Sequence, residues 1–286
     1  MARGTSIHIG VNRPASTREC ALAQSEANAW KMAELAYQAG YGAIHVLRGA
    51  DATRGATLRL LGDAVRALEP RHTLFVTFNG HGSHVPDADG DERDRWDETW
   101  CLHDADLIDD ELVETWRQAA PGTRVVVVTE SCFSGGMGRD GDEVEAYPRG
   151  YRAAYRPVYR SAGPMMRGVK QFAQPASSCI SRVPLHDDGI RASVLVMTAS
   201  AEESRAREGL YIRHLLDLWG GGTFRGSFCE LHEELRDRVR HENQEQEPQI
   251  LMLGTPDPEF PLETAFHLER PVTRGGGWDP GVMRGG

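Results

Sequence analysis

Short β-branched runs alternate along the chain with segments of helical period. Residues 6–11 predict a first strand. Leu22, Ala29, Met32, Ala33 and Ala36 then mark one face of a helix that stops near Gly40. Residues 43–47 predict a second strand. Thr53 is expected to cap a helix carrying Leu61, Ala64, Val65 and Leu68 on one face, with Pro70 ending it. Residues 73–78 and 124–129 are two further strands. Between them the pattern predicts an acidic loop over 87–106, then a helix capped by Asp109. That helix would turn Leu112, Val113 and Trp116 inward and stop at Pro121-Gly122. Four consecutive valines at 125–128 are what a sheet covered on both faces requires. Strands alternating with helices predict an α/β fold of three layers, with a mostly parallel central sheet and helices on both faces.

The pattern breaks over residues 136–191, which show no sustained period and are rich in Gly, Pro, Arg and Tyr. So long an aperiodic stretch is expected to be functional or disordered. Regularity returns with a strand over 193–199. A helix with Ile212, Leu215, Leu216 and Trp219 follows, then another with Phe228, Leu231, Leu235 and Val239. The expectation is one domain over 1–270 interrupted by a long insert, followed by a flexible glycine-rich tail over 271–286.

Composition narrows the function. Thirty-two Lys and Arg stand against 42 Asp and Glu, a net charge of −10. Nucleic-acid binders normally carry a basic footprint, so no nucleic-acid partner is expected. No apolar run approaches the ~18 residues of a membrane span, so no membrane partner is expected. The start, MARGTSIHIGVN, lacks a signal-peptide core. The five cysteines, at 20, 101, 132, 179 and 229, are scattered and form no C-x-x-C pair. The expectation is neither a disulfide framework nor a zinc cage, and a cytoplasmic location.

Two predicted strands end in small-residue turns that display a reactive side chain. One is Asn79-Gly80-His81-Gly82-Ser83; the other is Glu130-Ser131-Cys132-Phe133-Ser134-Gly135. In open α/β sheets the site lies outside the carboxyl ends of the strands, so both would project into one crevice. A free thiol is mostly protonated at neutral pH. A neighbouring imidazole can activate it and then return a proton to a leaving amine. Gly82 would aim a backbone N–H at a developing oxyanion, with the N–H of Cys132 as second donor. Singly, each motif reads equally well as a decorated turn or an inert cysteine. Together they read as a nucleophile and its acid/base.

NGHGS, WDETWCLHD, LIDDELV, VVVVTESCFSGG and SVLVMTASAEESRAREGLYIRHLL together resemble the caspase-fold cysteine peptidases. The match is closest to their bacterial metacaspase-like (orthocaspase) branch. His81 precedes Cys132 by 51 residues, in keeping with the roughly 50 known for caspases. The resemblance runs from residue 6 to residue 254 without the insert. It implies a caspase–haemoglobinase fold, a His81/Cys132 dyad and cleavage of proteins after a chosen residue. Glu130 falls where metacaspases carry the acid at the floor of the specificity pocket. A buried carboxylate there selects Arg or Lys and repels Asp. The family acid is usually Asp, and a second family acid aligns with Asn28, close to Glu26. The alternative is that Glu130 only bonds loop backbone. Ser200 and Glu203 are expected on the pocket wall.

The resemblance also implies calcium (Ca2+) held by acids corresponding to Asp97, Asp109 and Asp110, with a further one at Arg139 or Asp140. A merely solvated acidic loop is the other reading. No organic cofactor is implied. Tyr-Arg pairs at Arg152, Arg156 and Arg160 fall where relatives are often processed; if the pocket accepts Arg they are candidate self-cleavage sites, and a merely exposed loop is the other reading. The expected partners are a protein substrate with Arg or Lys before the scissile bond, and an inhibitor or an activating protease. The rival from another class is a non-catalytic caspase-like module that binds a partner or calcium.

Overall fold

The apolar runs become strands of one sheet in the computed structural model, which describes residues 4–15, 21–86, 96–132, 181–182, 189–200, 206–255 and 257–268. In chain order the elements are β1 (Gly4–Gly10), α1 (Ser25–Ala39), β2 (Ala43–Arg48), α2 (Arg54–Arg66), β3 (Thr73–Pro86), β4 (Trp96–Cys101), β5 (Asp106–Ile108) and α3 (Asp109–Arg117). They continue with β6 (Arg124–Cys132), β7 (Ser181–Arg182), β8 (Ser193–Thr198), α4 (Leu210–Trp219), α5 (Phe228–Glu242) and β9 (Gln249–Gly254). The sheet runs β2-β1-β3-β6-β8-β9-β7, and β4 and β5 extend it as a ribbon on the far end of β3. Neighbours from β2 to β8 are parallel, whereas β9 returns antiparallel to β8.

Alternate strand residues face opposite layers. Phe75, Val126, Val128 and Leu195 face α1, α4 and α5, meeting Met32, Leu215 and Leu235. Leu74, Val76, Val125 and Val127 face α2 and α3, meeting Leu61, Val65, Leu112 and Trp116. This is the expected three-layer α/β/α arrangement. The Thr53 hydroxyl caps α2 by accepting from the Ala56 amide at 3.2 Å, an interaction worth about 1 kcal/mol. Among the described residues no helix is long and apolar enough to cross a membrane.

Several expectations need correction. β3 and β6 do not stop at 78 and 129 but run on through His81 and Cys132, because each still has the other as a pairing partner there. The stretch over 87–106 is not all loop. β4 lies inside it, with Asp97 and Glu98 buried, and β5 begins at its last residue. Asp109 is the first residue of α3 and not its cap; the amide of Ile108 before it is bonded by the Glu111 carboxylate at 3.3 Å. α1 begins at Ser25, which leaves Leu22 outside it. α2 ends at Arg66, four residues before Pro70. β9 had no counterpart among the expected elements. The insert reading extended to 191, yet β7 pairs with β9 and Ile190 is already buried in the core. Cys229 is disulfide-bonded. Scattered spacing along a chain does not report distance across a fold.

Candidate active site

The site begins where β3 changes partner. His81 is in register with Cys132 of β6, and the next residue, Gly82, is in register with Trp100 of β4. Neighbouring strands lie ~4.8 Å apart, so the backbones of His81 and Cys132 are adjacent at the carboxyl end of the sheet. His81 is buried. A Cβ on Gly80 would sit 2.7 Å from the ring of Phe78. That ring stacks on Trp100, 4.7 Å between centroids and 6° from parallel. The stack is worth about 0.5–1.5 kcal/mol beyond its burial. It fastens the β4 ribbon to β3 directly beside the histidine, so a side chain at Gly80 would loosen the mount of His81.

Glu130 lies two residues before Cys132, on the face that carries Val126 and Val128 toward α1 and α4. Its carboxyl group is buried. Oε1 accepts from the amides of Tyr211 at 2.8 Å and Ile212 at 3.2 Å, at the start of α4. α4 has no side-chain cap of its own, since Gly209 precedes it. Glu130 supplies the acceptor that the helix N-terminus lacks. Oε2 accepts from Asn28 Nδ2 at a long 3.4 Å. Asn28 reaches it because Gly10 lets α1 approach the end of β1; a Cβ there would meet Ser25 O at 2.5 Å. Glu208 holds the two helix starts together, accepting from the Ala23 and Gln24 amides at 2.7 and 2.8 Å.

Burial pushes the Glu130 carboxyl pKa up from 4.5 to about 7, against the pull of the Ile212, Tyr211 and Gly209 amides, and the Glu208 charge adds to the rise. The folded protein therefore holds this proton more tightly than the unfolded chain. The stability this confers is full below about pH 4.5 and is lost as pH rises through about 7. Glu130→Gln cannot ionise and should escape that loss, which is at most about 3 kcal/mol. The melting temperature of the variant relative to wild type should rise by several degrees between pH 5 and pH 8. An unchanged difference across that range would remove the buried-carboxyl assignment.

The other expected residues fall as follows. Ser200 is buried just past the carboxyl end of β8, next to β6, and its carbonyl accepts from Thr198 Oγ1 at 2.9 Å. Glu203, Arg139, Asp140, Arg152, Arg156 and Arg160 lie outside the described residues. Asp97 precedes the paired Thr99 by two residues, and Asp109 and Asp110 follow its partner Ile108, so all three belong to the same end of the β4–β5 ribbon. Among the described residues no three His, Cys, Asp or Glu side chains gather to hold a metal. These acids therefore do not by themselves make the oxygen-rich cage calcium wants.

Two contributors escaped the sequence reading. Asn79 is in register with Glu130, and its buried amide has no hydrogen-bond partner among the described residues. Extending the period-2 pattern of β3 past Phe78 would have placed it on the same face as His81. The α4 amides carry no side-chain signal at all. The one hint was a helix start without Ser, Thr, Asp or Asn before it.

Comparison with known proteins agrees with this geometry. A family model described as the caspase domain matches residues 7–255. Metacaspase-1B of Aspergillus fumigatus is 36% identical over 88 residues, 29% of this chain and 22% of that protein. Metacaspase-1A of the same fungus is 35% identical over 88 residues, 29% and 21% of the two chains. The chain thus spans only about a fifth of the length of these relatives. Among solved structures, a protein of Geobacter sulfurreducens aligns with a TM-score of 0.68 at 27% identity, covering 93% of this chain and 98% of that one.

Proposed function

Because the chain belongs to the caspase-domain family of cysteine peptidases, we propose that it is an endopeptidase that cuts proteins after arginine or lysine. The observation that carries the reading is the pairing of His81 with Cys132 at the carboxyl ends of two parallel strands, with a buried carboxyl group two residues upstream. His81 takes the thiol proton as Cys132 attacks the scissile carbonyl carbon. The Gly82 and Cys132 amides receive the oxyanion, and His81 returns the proton to the leaving amine. Water then attacks the thioester with His81 as base, releasing the carboxylate product and restoring the thiol.

Glu130 supplies the selectivity. One oxygen is engaged by the start of α4, which orients the group; among the described residues the other has only the long Asn28 contact. The influences on the carboxyl are burial, backbone amides and the Glu208 charge. No basic side chain is among them. An incoming guanidinium or ammonium group would supply the missing partner, and an aspartate side chain would be repelled. Ser200 and Glu203 complete the pocket wall in this proposal. Calcium enters as an activator to be tested through Asp97, Asp109 and Asp110, and no step is routed through it.

The test is hydrolysis of matched fluorogenic peptides ending in Arg, Lys or Asp, in chelator and in millimolar calcium. Arg and Lys peptides should be cut and the Asp peptide spared. A preference for Asp, or a folded protein that cuts none of them, overturns the reading in favour of another pocket or a binding module. Equal rates with and without calcium remove the activator.

Self-processing at Arg152, Arg156 or Arg160 belongs to the same proposal, since an insert tethered to the site is presented at high effective concentration. The parallel pairing of β6 with β8 spans the insert, so cut halves should stay together. Wild-type enzyme incubated alone should give two bands on a denaturing gel and one species by size exclusion, while Cys132→Ala stays whole. A fully active chain of intact mass after prolonged incubation would exclude a processing linker.

A further inference from the structure

At the end of the sheet remote from His81 lies a cavity of about 420 Å³ that the proteolytic reading does not use. It opens beside Thr73, at the amino end of β3. His81 is eight residues further along that strand, roughly 26 Å away. The volume falls in the range of small-molecule sites. Its walls mix aromatic rings with polar groups, Thr73, Glu263, Thr264 and His267 among the latter. Phe228, Phe260 and Phe266 line it, with Phe228 edge-on to Phe260 at 5.7 Å and to Phe266 at 5.2 Å. Tyr41 is a fourth ring, tilted against Phe75.

Three features separate this cavity from a packing defect. Tyr41 is only 4% exposed, and its hydroxyl, driven up in pKa by burial alone, has no hydrogen-bond partner among the described residues. Arg124 is engaged by two bonds to Asp257, at 3.1 and 2.8 Å, and one to Glu263 at 2.7 Å. It also stands 4.8 Å over the Phe260 ring. Arg71, on the same wall, forms no ion pair among the described residues. Finally, Arg71 and Phe266 are the two non-glycine residues with positive φ among the described residues, at 68° and 61°. Both line this cavity. The left-handed region is costly for any side chain and rare for a bulky one. Strain of this kind gathers where a site demands it.

We propose that the cavity binds a small aromatic carboxylate, with its ring among Phe228, Phe260 and Phe266, its anion on Arg71, and the Tyr41 hydroxyl as a further hydrogen-bond donor. A planar guanidinium suits a carboxylate's two oxygens. The phenylalanine rings on one side of the cavity suit an aromatic ring in offset or edge-on contact. Arg124 adds shape and no free charge, since two carboxylates already engage it; Glu263 also lines the cavity, so an anion there depends on the Arg71 charge.

The test is calorimetric titration of the whole chain with benzoate and indole-3-acetate, each beside its neutral amide. At least one acid should bind with a Kd of about 1 mM or tighter, and its amide roughly tenfold more weakly. Arg71→Gly removes the cation and relieves the backbone. It should lose the preference for acid over amide, raise the melting temperature and leave peptide hydrolysis unchanged. Tyr41→Phe should weaken the acid severalfold without unfolding the protein. Failure of both acids to saturate by 10 mM, equal binding of acid and amide, or an undiminished acid preference in Arg71→Gly overturns the proposal.

Discussion

Cys132→Ala and His81→Ala should each lower kcat/KM for an arginyl peptide by roughly 10⁴-fold or more, and the double variant should be no worse than either. Nucleophile and acid/base act as one unit. Without the imidazole the thiol stays largely protonated and the leaving amine gains no proton. Without the thiol there is nothing to activate. The sheet should survive both changes, because β3 and β6 pair through their backbones from Thr73↔Arg124 to His81↔Cys132. Circular dichroism and melting temperature check that survival. His81→Asn offers a more conservative second variant, since His81 is buried and Ala leaves a void. Substantial hydrolysis by a folded Cys132→Ala protein would remove the nucleophile assignment.

Glu130→Gln should cost Arg and Lys peptides roughly 10²–10³-fold in kcat/KM, the scale of breaking a desolvated charge pair. Peptides with a neutral residue before the scissile bond should change little. The variant also separates the two roles open to this side chain. Glutamine keeps an oxygen for the Tyr211 and Ile212 amides but loses the charge. A residue that served only to cap α4 would, on substitution, change all substrates alike. A pocket acid would, on substitution, lose its cationic substrates and leave the neutral ones. Glu130→Asp, one methylene shorter, keeps the charge but withdraws it from α4. It should retain selectivity for Arg at reduced stability.

The legible part of the fold was legible for a local reason. Leu61 and Val65 of α2 share a helix face because the helical period is a property of neighbouring residues. Val125 and Val127 point one way and Val126 and Val128 the other, for the equally local period of a strand. Reading failed where the partner was remote. WDETWC does not look like a strand, with two adjacent acids in its middle, yet β3 on one side and β5 on the other hold it as β4. β9 is a short apolar run whose identity as a strand comes from its antiparallel partner β8. Cys229 gave no hint of its bond.

The same division runs through the site. Residue type and strand order along the chain determined that an imidazole and a thiol come from the ends of two strands, and that an acid precedes the thiol by two residues. Side-chain chemistry and local periodicity travel with the sequence. Tertiary structure decided which atoms those groups meet. That Glu130 is held by amides 81 and 82 residues further on, beside an asparagine 102 residues earlier, depends on how α1 and α4 settle on the sheet. So does a carboxyl pKa near neutrality, because desolvation belongs to the packed interior and not to the residue. The register that sets His81 beside Cys132 is likewise a matter of pairing between strands, whose hydrogen bonds are closed by distant parts of the chain.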